Sequence, residues 1–406
     1  MRIVVVHNRY RSAQPSGEDA VVDQEIRMLE AAGHKIIKYE RHSDEIHNSR
    51  RLKLEVPVRV SWSPADEREF ARLLVHANPD IVHVHNTFPL ISAAILRSCR
   101  RADVPVVATL HNFRHLCAAG TLLRDGRPCH DCVGRLPLPA MVHRCYRDSR
   151  AATAPLALSI GLHGLARTWP RGVDRFICMT RFAVDVFAEA GWDPAQFTVK
   201  PHFVPDARTQ RQGSGEYAMF LGRLFPEKGA DVLIDAWSPE LGTLLIVGDG
   251  DERPRLERAA ERHGTSVRFT GAVPRDEAMR LMAGARVLVN SSRCYETFGL
   301  SIAEGYAHGV PAIAPDHAGF PEVVEQGVTG ELFRPGDSAS LRDALVRMMV
   351  PATAQAAGVA ARRAYEQRYT EARNLAQLEG IYRDVITRRS GAGARPGEAE
   401  SALRED

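Results

Sequence analysis

Short apolar segments alternate with helix-like segments along most of this chain, and this alternation is the strongest constraint on its fold. The apolar segments are about five residues long and contain few polar positions. Strands of this kind are buried on both faces, which is typical of parallel sheets covered by helices. The predicted strands are residues 3–6, 80–85, 106–111, 175–179, 217–222, 244–249, 267–271 and 285–290. The chain is therefore predicted to be an α/β protein.

The alternation pauses at residues 200–217, where Pro, Gly and polar residues dominate, as in a linker. A chain of 406 residues is expected to form about two domains. We predict Rossmann-like, doubly wound domains over 1–205 and 206–370, then a helix over 371–389 that packs back toward the first domain. Residues 390–406 have the composition of a disordered tail. Two such domains facing each other form a cleft at the carboxyl ends of their strands, where open α/β sheets bind ligands.

Composition and charge exclude several classes of protein. The apolar content is 44% and the charged content 25%, as in ordinary globular proteins. A net charge of +3 is too small to predict a nucleic-acid-binding surface. The first residues, MRIVVV, lack the features of a signal peptide, and the mostly apolar stretch 151–166 is shorter than the roughly 18 residues of a spanning helix. We expect a cytoplasmic protein that binds no nucleic acid.

Two cations follow the predicted strand 217–222. Arg223 stands at its end, and Lys228 stands at the start of the next predicted helix. Cations beside a helix amino terminus favour an anionic ligand, and a diphosphate fits both. A lone Arg/Lys pair is more often solvated surface charge, so this loop alone leaves both interpretations open.

The segment CYETFGLSIAEG, residues 294–305, repeats this arrangement after another predicted strand. Gly299 allows the backbone to approach a ligand, and free N–H groups near Leu300 face the cleft. Glu304 is flanked by apolar residues, and a partly buried carboxylate needs donors such as the hydroxyls of a sugar. One glutamate would be explained by helix N-terminal charge. The pair Glu296 and Glu304, together with the upstream cations, favours a ligand site.

These motifs resemble those of the GT-B fold retaining glycosyltransferases of family 4, the glycosyl transferases group 1. The similarity follows residues 1–385 in order. Two departures are Gly17, which alone remains of the family's Gly-rich loop, and Ala318-Gly319-Phe320, which replaces a Gly-Gly pair. The matching segments are Glu296–Glu304 for E-x7-E, Gly222–Gly229 for G-R-x4-K-G, Val247–Gly250 for V-G-x-G, Phe269–Val273 for F-x-G-x-V and Ala307–Ala314 for A-x-G-x-P-V-I-A.

The resemblance implies two facing Rossmann-like domains, of which the first binds the acceptor and the second binds the nucleotide sugar. It implies retaining transfer of a hexose-type sugar from a nucleoside diphosphate sugar, UDP before GDP, to a saccharide, lipid-linked or natural-product acceptor. Glu296 would hold hydroxyls of the donor sugar, and Glu304 the ribose hydroxyls. Arg223 and Lys228 would stabilise the departing diphosphate.

His111 matches a family histidine that contacts the donor sugar, although a strand-end histidine is more often structural. His83 and His85 are further candidates. The predicted catalytic residues are His111, Arg223, Lys228 and Glu296. The predicted donor-binding residues are Gly17, Gly222, Gly248, Val273, Phe298, Gly299, Leu300 and Glu304.

No metal cofactor is expected in catalysis. The sequence Asp249-Gly250-Asp251 fits a D-x-D metal motif, but Asp and Gly are also the residues of turns, and we interpret it as a turn. Four cysteines, Cys117, Cys129, Cys132 and Cys145, lie in an insertion-like segment, 112–148. Their C-x2-C core is typical of structural zinc, with His115, His130 and His143 as substitutes. The alternative is four free thiols in an acceptor loop.

Two rival functions remain at this stage. A nucleotide-sugar epimerase could use the same scaffold, and a non-catalytic sugar-nucleotide binder could use the same cleft. Peripheral membrane contact is compatible with a lipid-linked acceptor. The sequence gives no prediction of oligomeric state.

Overall fold

The computed structural model describes residues 1–12 and 16–393. Two six-stranded parallel sheets form its framework, in the strand orders β2-β1-β3-β4-β7-β8 and β11-β10-β9-β12-β13-β14, and a separate hairpin pairs β5 with β6. The strands are β1 Arg2–Arg9, β2 Lys35–His42, β3 Ile81–Asn86, β4 Val106–Thr109, β5 Leu123–Arg124, β6 Arg127–Pro128, β7 Arg175–Cys178, β8 Phe197–Val199, β9 Tyr217–Leu221, β10 Leu244–Val247, β11 Val267–Gly271, β12 Ala285–Val289, β13 Ala312–Pro315 and β14 Gly330–Phe333.

Helices connect the parallel strands and cover the sheets. They are α1 Gly17–Ala31, α2 Asp44–Asn48, α3 Arg50–Arg59, α4 Pro64–Ala77, α5 Ala94–Arg101, α6 Leu138–Val142, α7 Arg150–Ala166, α8 Thr168–Gly172, α9 Arg181–Glu189, α10 Ala230–Ala236, α11 Arg253–Ala260, α12 Arg275–Gly284, α13 Leu300–Ala307, α14 Phe320–Val323, α15 Ser338–Met348, α16 Pro351–Arg368 and α17 Glu371–Gly393. No single described helix is both long and apolar enough to cross a membrane. Among the described residues, one bent pair is long and apolar enough to do so by length and composition alone: α15 and the 351–390 segment, which are bent by 92°.

The α/β prediction with two parallel sheets is confirmed. All eight predicted strands are present, and residues 200–216, without helix or strand, join the two sheets. In each sheet the strand order reverses at one point, between β1 and β3 in the first and between β9 and β12 in the second. The loops at these switch points diverge and leave a crevice at the carboxyl ends of the strands.

Helix α17 returns the end of the chain to the first sheet. Its Leu378 and Tyr382 are fully buried and pack in one core with Ile3 and Val107. The helix extends to Gly393, four residues into the predicted tail 390–406, and the disorder of that tail stays a prediction. Residues 394–406 lie outside the described part of the chain.

Candidate functional site

A cleft of about 740 Å³ separates the carboxyl ends of the two sheets. Its first-domain wall comes from the start of α1 and from the loop after β4, and its second-domain wall from the loops after β9 and β12. The two walls approach each other where Gly17 faces Leu300: a Cβ built on Gly17 would lie 4.0 Å from Leu300 Cδ2. The amino termini of α1 and α13 therefore meet at the centre of the cleft.

Eleven of the twelve residues predicted for catalysis and donor binding line this one cleft. They are Gly17, His111, Gly222, Arg223, Lys228, Val273, Glu296, Phe298, Gly299, Leu300 and Glu304. Gly248 is not among the lining residues. A Cβ on Gly248 would lie 1.9 Å from the carbonyl oxygen of Gly222. This glycine therefore allows two backbone segments to touch, and its predicted contact with the donor is not seen.

Lys228 and Glu296 form an ion pair in the second-domain wall, with Nζ donating to Oε1 at 2.7 Å. Burial opposes both charges, but each group stabilises the other. The pKa of Lys228 is therefore raised above its ordinary value, and that of Glu296 is lowered. Their side chains keep 25% and 17% of their exposure, so both reach the cleft. Arg223 lies in the same wall and is free to approach an anion.

Glu304 is buried in the first turns of α13, and Arg275 Nη2 lies 2.6 Å from its Oε1. Burial raises the pKa of Glu304 against the opposing effect of Arg275. Gly299 precedes α13 with a φ of +83°, and a Cβ there would lie 3.0 Å from Phe320 Cε1. Only glycine suits this position, because both the left-handed backbone and the close aromatic ring exclude a side chain.

A chain of buried histidines stands behind the first-domain wall. His111 Nε2 lies 3.0 Å from His85 Nδ1, and His85 Nε2 lies 3.2 Å from Glu25 Oε1. The rings of His111 and His202 stack, with centroids 5.2 Å apart. Burial, with the neighbouring histidines, holds the pKa of His111 well below its ordinary value, so the ring is neutral at neutral pH. His202 also has its pKa lowered by burial, to about 3.

Glu25 fixes the proton positions in this chain. Burial alone would raise its pKa, but Lys200 and the histidines outweigh that effect and hold it well below the ordinary value. An ionised Glu25 favours the His85 tautomer with its proton on Nε2, which lies 3.2 Å from Glu25 Oε1 without a hydrogen bond, and in that tautomer His85 Nδ1 accepts from His111 Nε2. The Nδ1 atom of His111 is then a hydrogen-bond acceptor.

Glu25, His83 and His85 are also a group whose ligating atoms all lie within 4.8 Å of one another. Lys200 Nζ lies 3.3 Å from Glu25 and bonds Asn374 of α17 at 2.9 Å. The ammonium supplies the positive charge that the carboxylate needs, so we interpret the group as an ion-pair network. His83 bonds Tyr382 and Thr109, which gives it a structural place behind the cleft.

Sequence reasoning missed Glu18, which lines the cleft at the start of α1. Tyr10 Oη donates to its Oε2 at 3.1 Å, and its Oε1 has no hydrogen-bond partner among the described residues. Burial raises the pKa of Glu18 to about 7, against the opposing hydrogen bond from Tyr10. The signal available in the sequence was its position one residue after Gly17, at a helix start beside the switch point. Arg275 was missed as well, since nothing in its local sequence pairs it with Glu304.

The remaining predicted groups lie outside the cleft. Asp249 accepts from the backbone N–H of Gly250 and pairs with Arg253 at 3.0 Å, as expected of a turn. Cys117, Cys129, Cys132 and Cys145 are free and line one small cavity in the 112–148 segment. No three of their sulfurs lie within 4.8 Å of one another, whereas the ligating atoms of Glu25, His83 and His85 do.

Comparison with known proteins gives two family models in tandem. The model described as Glycosyltransferase Family 4 matches residues 16–208, and the model described as Glycosyl transferases group 1 matches residues 215–350. Their boundary coincides with the segment that joins the two sheets. Together the two models cover most of the chain and both walls of the cleft.

Curated relatives and solved structures agree with these models. A phosphatidyl-myo-inositol mannosyltransferase of Mycobacterium leprae is 28% identical over 81% of this chain and 80% of the relative. A GDP-mannose-dependent alpha-mannosyltransferase of Mycobacterium tuberculosis is 29% identical over 66% of this chain and 63% of the relative. The structure of Anabaena HepE, solved with UDP and glucose, aligns with 95% of this chain and with 100% of the HepE chain, at a TM-score of 0.64 and 18% identity. A sucrose-phosphate synthase of Thermosynechococcus elongatus aligns with 95% of this chain and 99% of its own, at a TM-score of 0.68 and 17% identity.

Proposed function

Because the chain belongs to glycosyltransferase family 4, the glycosyl transferases group 1 with the GT-B fold, we propose that it transfers a hexose with retention from a nucleoside diphosphate sugar to a membrane-presented, lipid-linked acceptor. The observation that carries the donor half is the convergence of Lys228, Glu296 and Glu304 on one cleft wall. Its catalysis needs no metal ion in this proposal, and its cytoplasmic location stays a prediction.

Each group in the second-domain wall has a chemical task in this proposal. Breaking the bond to the anomeric carbon leaves negative charge on the diphosphate, which Lys228 and Arg223 stabilise together with the N–H groups at the start of α13. Glu296 accepts from hydroxyls of the sugar, and Glu304 accepts from the ribose. Both carboxylates are held by cations in the structure, and donor hydroxyls would add the hydrogen bonds that burial demands.

His111 faces this wall from the first domain. In the tautomer that Glu25 favours through His85, the Nδ1 atom of His111 is an acceptor and suits a hydroxyl of the donor sugar. A neutral imidazole adds no positive charge beside the departing diphosphate, and it cannot donate from both nitrogens. The buried chain behind it therefore sets which hydrogen bonds the sugar can make.

An exposed apolar surface near the acceptor side favours a lipid-linked substrate. A cavity of about 80 Å³ adjoins the cleft through His111 and Arg114, and α7 supplies one of its walls. The opposite face of α7 carries Leu158, Leu162 and Leu165, which are 50% to 75% exposed and are spaced to share one face of the helix. Such contiguous exposed apolar side chains mark an interaction surface.

Neighbouring helices extend this surface and add positive charge. Helices α3 and α6 contact α7 and expose further apolar side chains, namely Leu54, Val58, Leu138 and Val142. Exposed cations border them: Arg50, Arg51, Lys53, Arg144, Arg147 and Arg150. An apolar face bordered by Arg and Lys fits a membrane surface with anionic lipids. The acceptor would then reach the cleft while its lipid part remains in the bilayer.

Labelled UDP-sugars and GDP-sugars tested with lipid acceptors in anionic vesicles separate the functions. The sequence favours UDP before GDP, whereas two relatives are mannosyltransferases, so UDP-glucose and GDP-mannose both belong in the panel. We expect label in the organic phase and release of a nucleoside diphosphate. Donor isomerisation without acceptor would instead show an epimerase, and binding without turnover of any donor would show a binder. Label confined to soluble saccharides would overturn the lipid-linked acceptor alone.

Glu18 is predicted to accept the proton of the incoming hydroxyl or hold it by a hydrogen bond. Since its pKa is about 7, kcat/KM should fall as the pH drops below about 7, because the protonated acid can no longer accept. Glu18→Gln should lower kcat/KM about 100-fold, within the range of general-base contributions, and should abolish this acid limb. The control is Glu30→Gln, an exposed residue of the same helix. An unchanged pH profile in Glu18→Gln would assign the limb to another group.

A further inference from the structure

The four cysteines of the 112–148 segment are brought together by a fold too small to be stable alone. Its hairpin has two residues in each strand, Leu123–Arg124 and Arg127–Pro128, and Cys129 follows the second strand directly. An isolated two-stranded hairpin is marginal at best in water, and small units of this kind are usually stapled by disulfides or a metal.

Backbone hydrogen bonds hold three of the four cysteines at fixed places around one cavity. Cys117 N–H bonds the carbonyl of Phe113 at 2.9 Å, Cys129 N–H bonds Leu122 at 2.8 Å, and Cys145 N–H bonds Ala140 at 3.1 Å. All four thiols are partly buried, and all four line a cavity of about 20 Å³. Three separate turns of chain thus place these cysteines around one cavity, which ordinary apolar packing of a cysteine does not require.

The charge of the segment suits a thiolate cluster. Residues 112–148 contain six arginines and three aspartates, with no lysine or glutamate, which gives a formal charge of +3. A tetrahedral zinc ion with four thiolates carries a net charge of −2, and cations nearby stabilise the thiolate form.

We propose that Cys117, Cys129, Cys132 and Cys145 bind one structural zinc ion. The sulfurs are spaced more widely than the roughly 3.8 Å between ligands of a tetrahedral zinc–thiolate site with bonds of about 2.3 Å. Binding therefore contracts the cluster by side-chain rotation and tightens the turns that carry it.

The site connects to the cleft through the first of these turns. Ala119, Gly120 and Thr121, which follow Cys117, line the cleft. Arg114 donates to the carbonyl oxygens of Ala118 and Ala119 at 2.9 and 3.3 Å, so the turn is held from the cleft side as well. Zinc would fix the acceptor-side wall while leaving the second domain, which carries the donor groups, unchanged.

Metal analysis of the untagged full chain, purified with and without added zinc, tests this proposal without depending on transferase activity. We expect about one zinc per chain, ligated by sulfur at about 2.3 Å in X-ray absorption, and thiolate charge-transfer bands when Co(II) replaces zinc. Cys129→Ser and Cys132→Ser should lose nearly all bound metal, whereas Cys99→Ala, a buried cysteine outside the segment, should keep it.

The wild-type measurements keep the test decisive even where a variant fails to fold. With zinc bound, the four thiols should resist a thiol reagent, and they should react together as the metal is released. Two disulfides in the native protein, or no metal after zinc loading with four freely reacting thiols in the folded chain, would overturn the proposal.

Discussion

Replacing Lys228 with alanine is expected to lower kcat about 100- to 1,000-fold, the effect of removing one preorganised group that stabilises developing negative charge, or about 3 kcal/mol. The ammonium lies 2.7 Å from Glu296 in the cleft and its pKa is raised, so it is charged throughout the neutral range. Steady-state kinetics with a saturating donor measure the loss. Removing one partner of this mostly buried pair also lowers the free energy of unfolding, so urea unfolding of the variant is measured beside its kinetics.

A double variant separates stabilisation of the leaving group from simple pairing with Glu296. If Lys228 acted only through Glu296, then Lys228→Ala would cause no further loss in a Glu296→Gln background. We expect an additional loss of at least about tenfold, because the diphosphate charge remains to be stabilised. Arg255→Ala is the matched control, since Arg255 is a half-exposed cation of the same domain outside the cleft. Wild-type turnover in Lys228→Ala would contradict the site assignment.

Sequence could predict those strands whose own residues indicate that both faces of the sheet are buried. Strands β9 and β10 are nearly continuous apolar segments because helices cover both faces of the sheet. Strand β2 was missed because five of its eight residues are polar or charged, and β8 was missed because it has three residues. Short or edge strands depend on their neighbours for their structure, and composition does not report that.

The same limit applies to the site. Lys228 and Glu296 could be predicted because their motifs resemble a known family, and the structure joins them in an ion pair across 68 positions of sequence. Glu18 acquires its raised pKa chiefly from burial, against the opposing hydrogen bond from Tyr10. Glu25 acts on His111 through His85 and through its own charge. Such couplings arise from the fold, so they carry no local sequence signal.

The buried histidines predict that this protein loses stability steeply as the pH falls below about 6.5. The pKa values of His83 and His111 are held well below their ordinary value, and those of His115 and His202 fall to about 3, chiefly through burial. Between pH 6.5 and these lowered values, the unfolded chain binds protons that the folded chain does not. Stability therefore falls with decreasing pH, by up to about 1.4 kcal/mol per pH unit for each histidine.

Four such groups together give up to about 5.6 kcal/mol per pH unit, compared with a total stability of about 5–15 kcal/mol for a typical domain. The first domain, which contains all four, should therefore unfold near pH 5 while the second sheet persists longer. Urea midpoints at pH 7.5, 6.5 and 5.5, followed by hydrogen exchange in each domain, measure both effects. His202→Gln should reduce the pH slope by about one proton, because the buried ring no longer titrates in the unfolded state. His263→Gln, which removes a histidine outside this buried chain, should leave the slope of the first domain unchanged. A flat profile down to pH 5 would mean that the histidines take up protons in the folded protein, and that His111 meets the donor sugar as a cation.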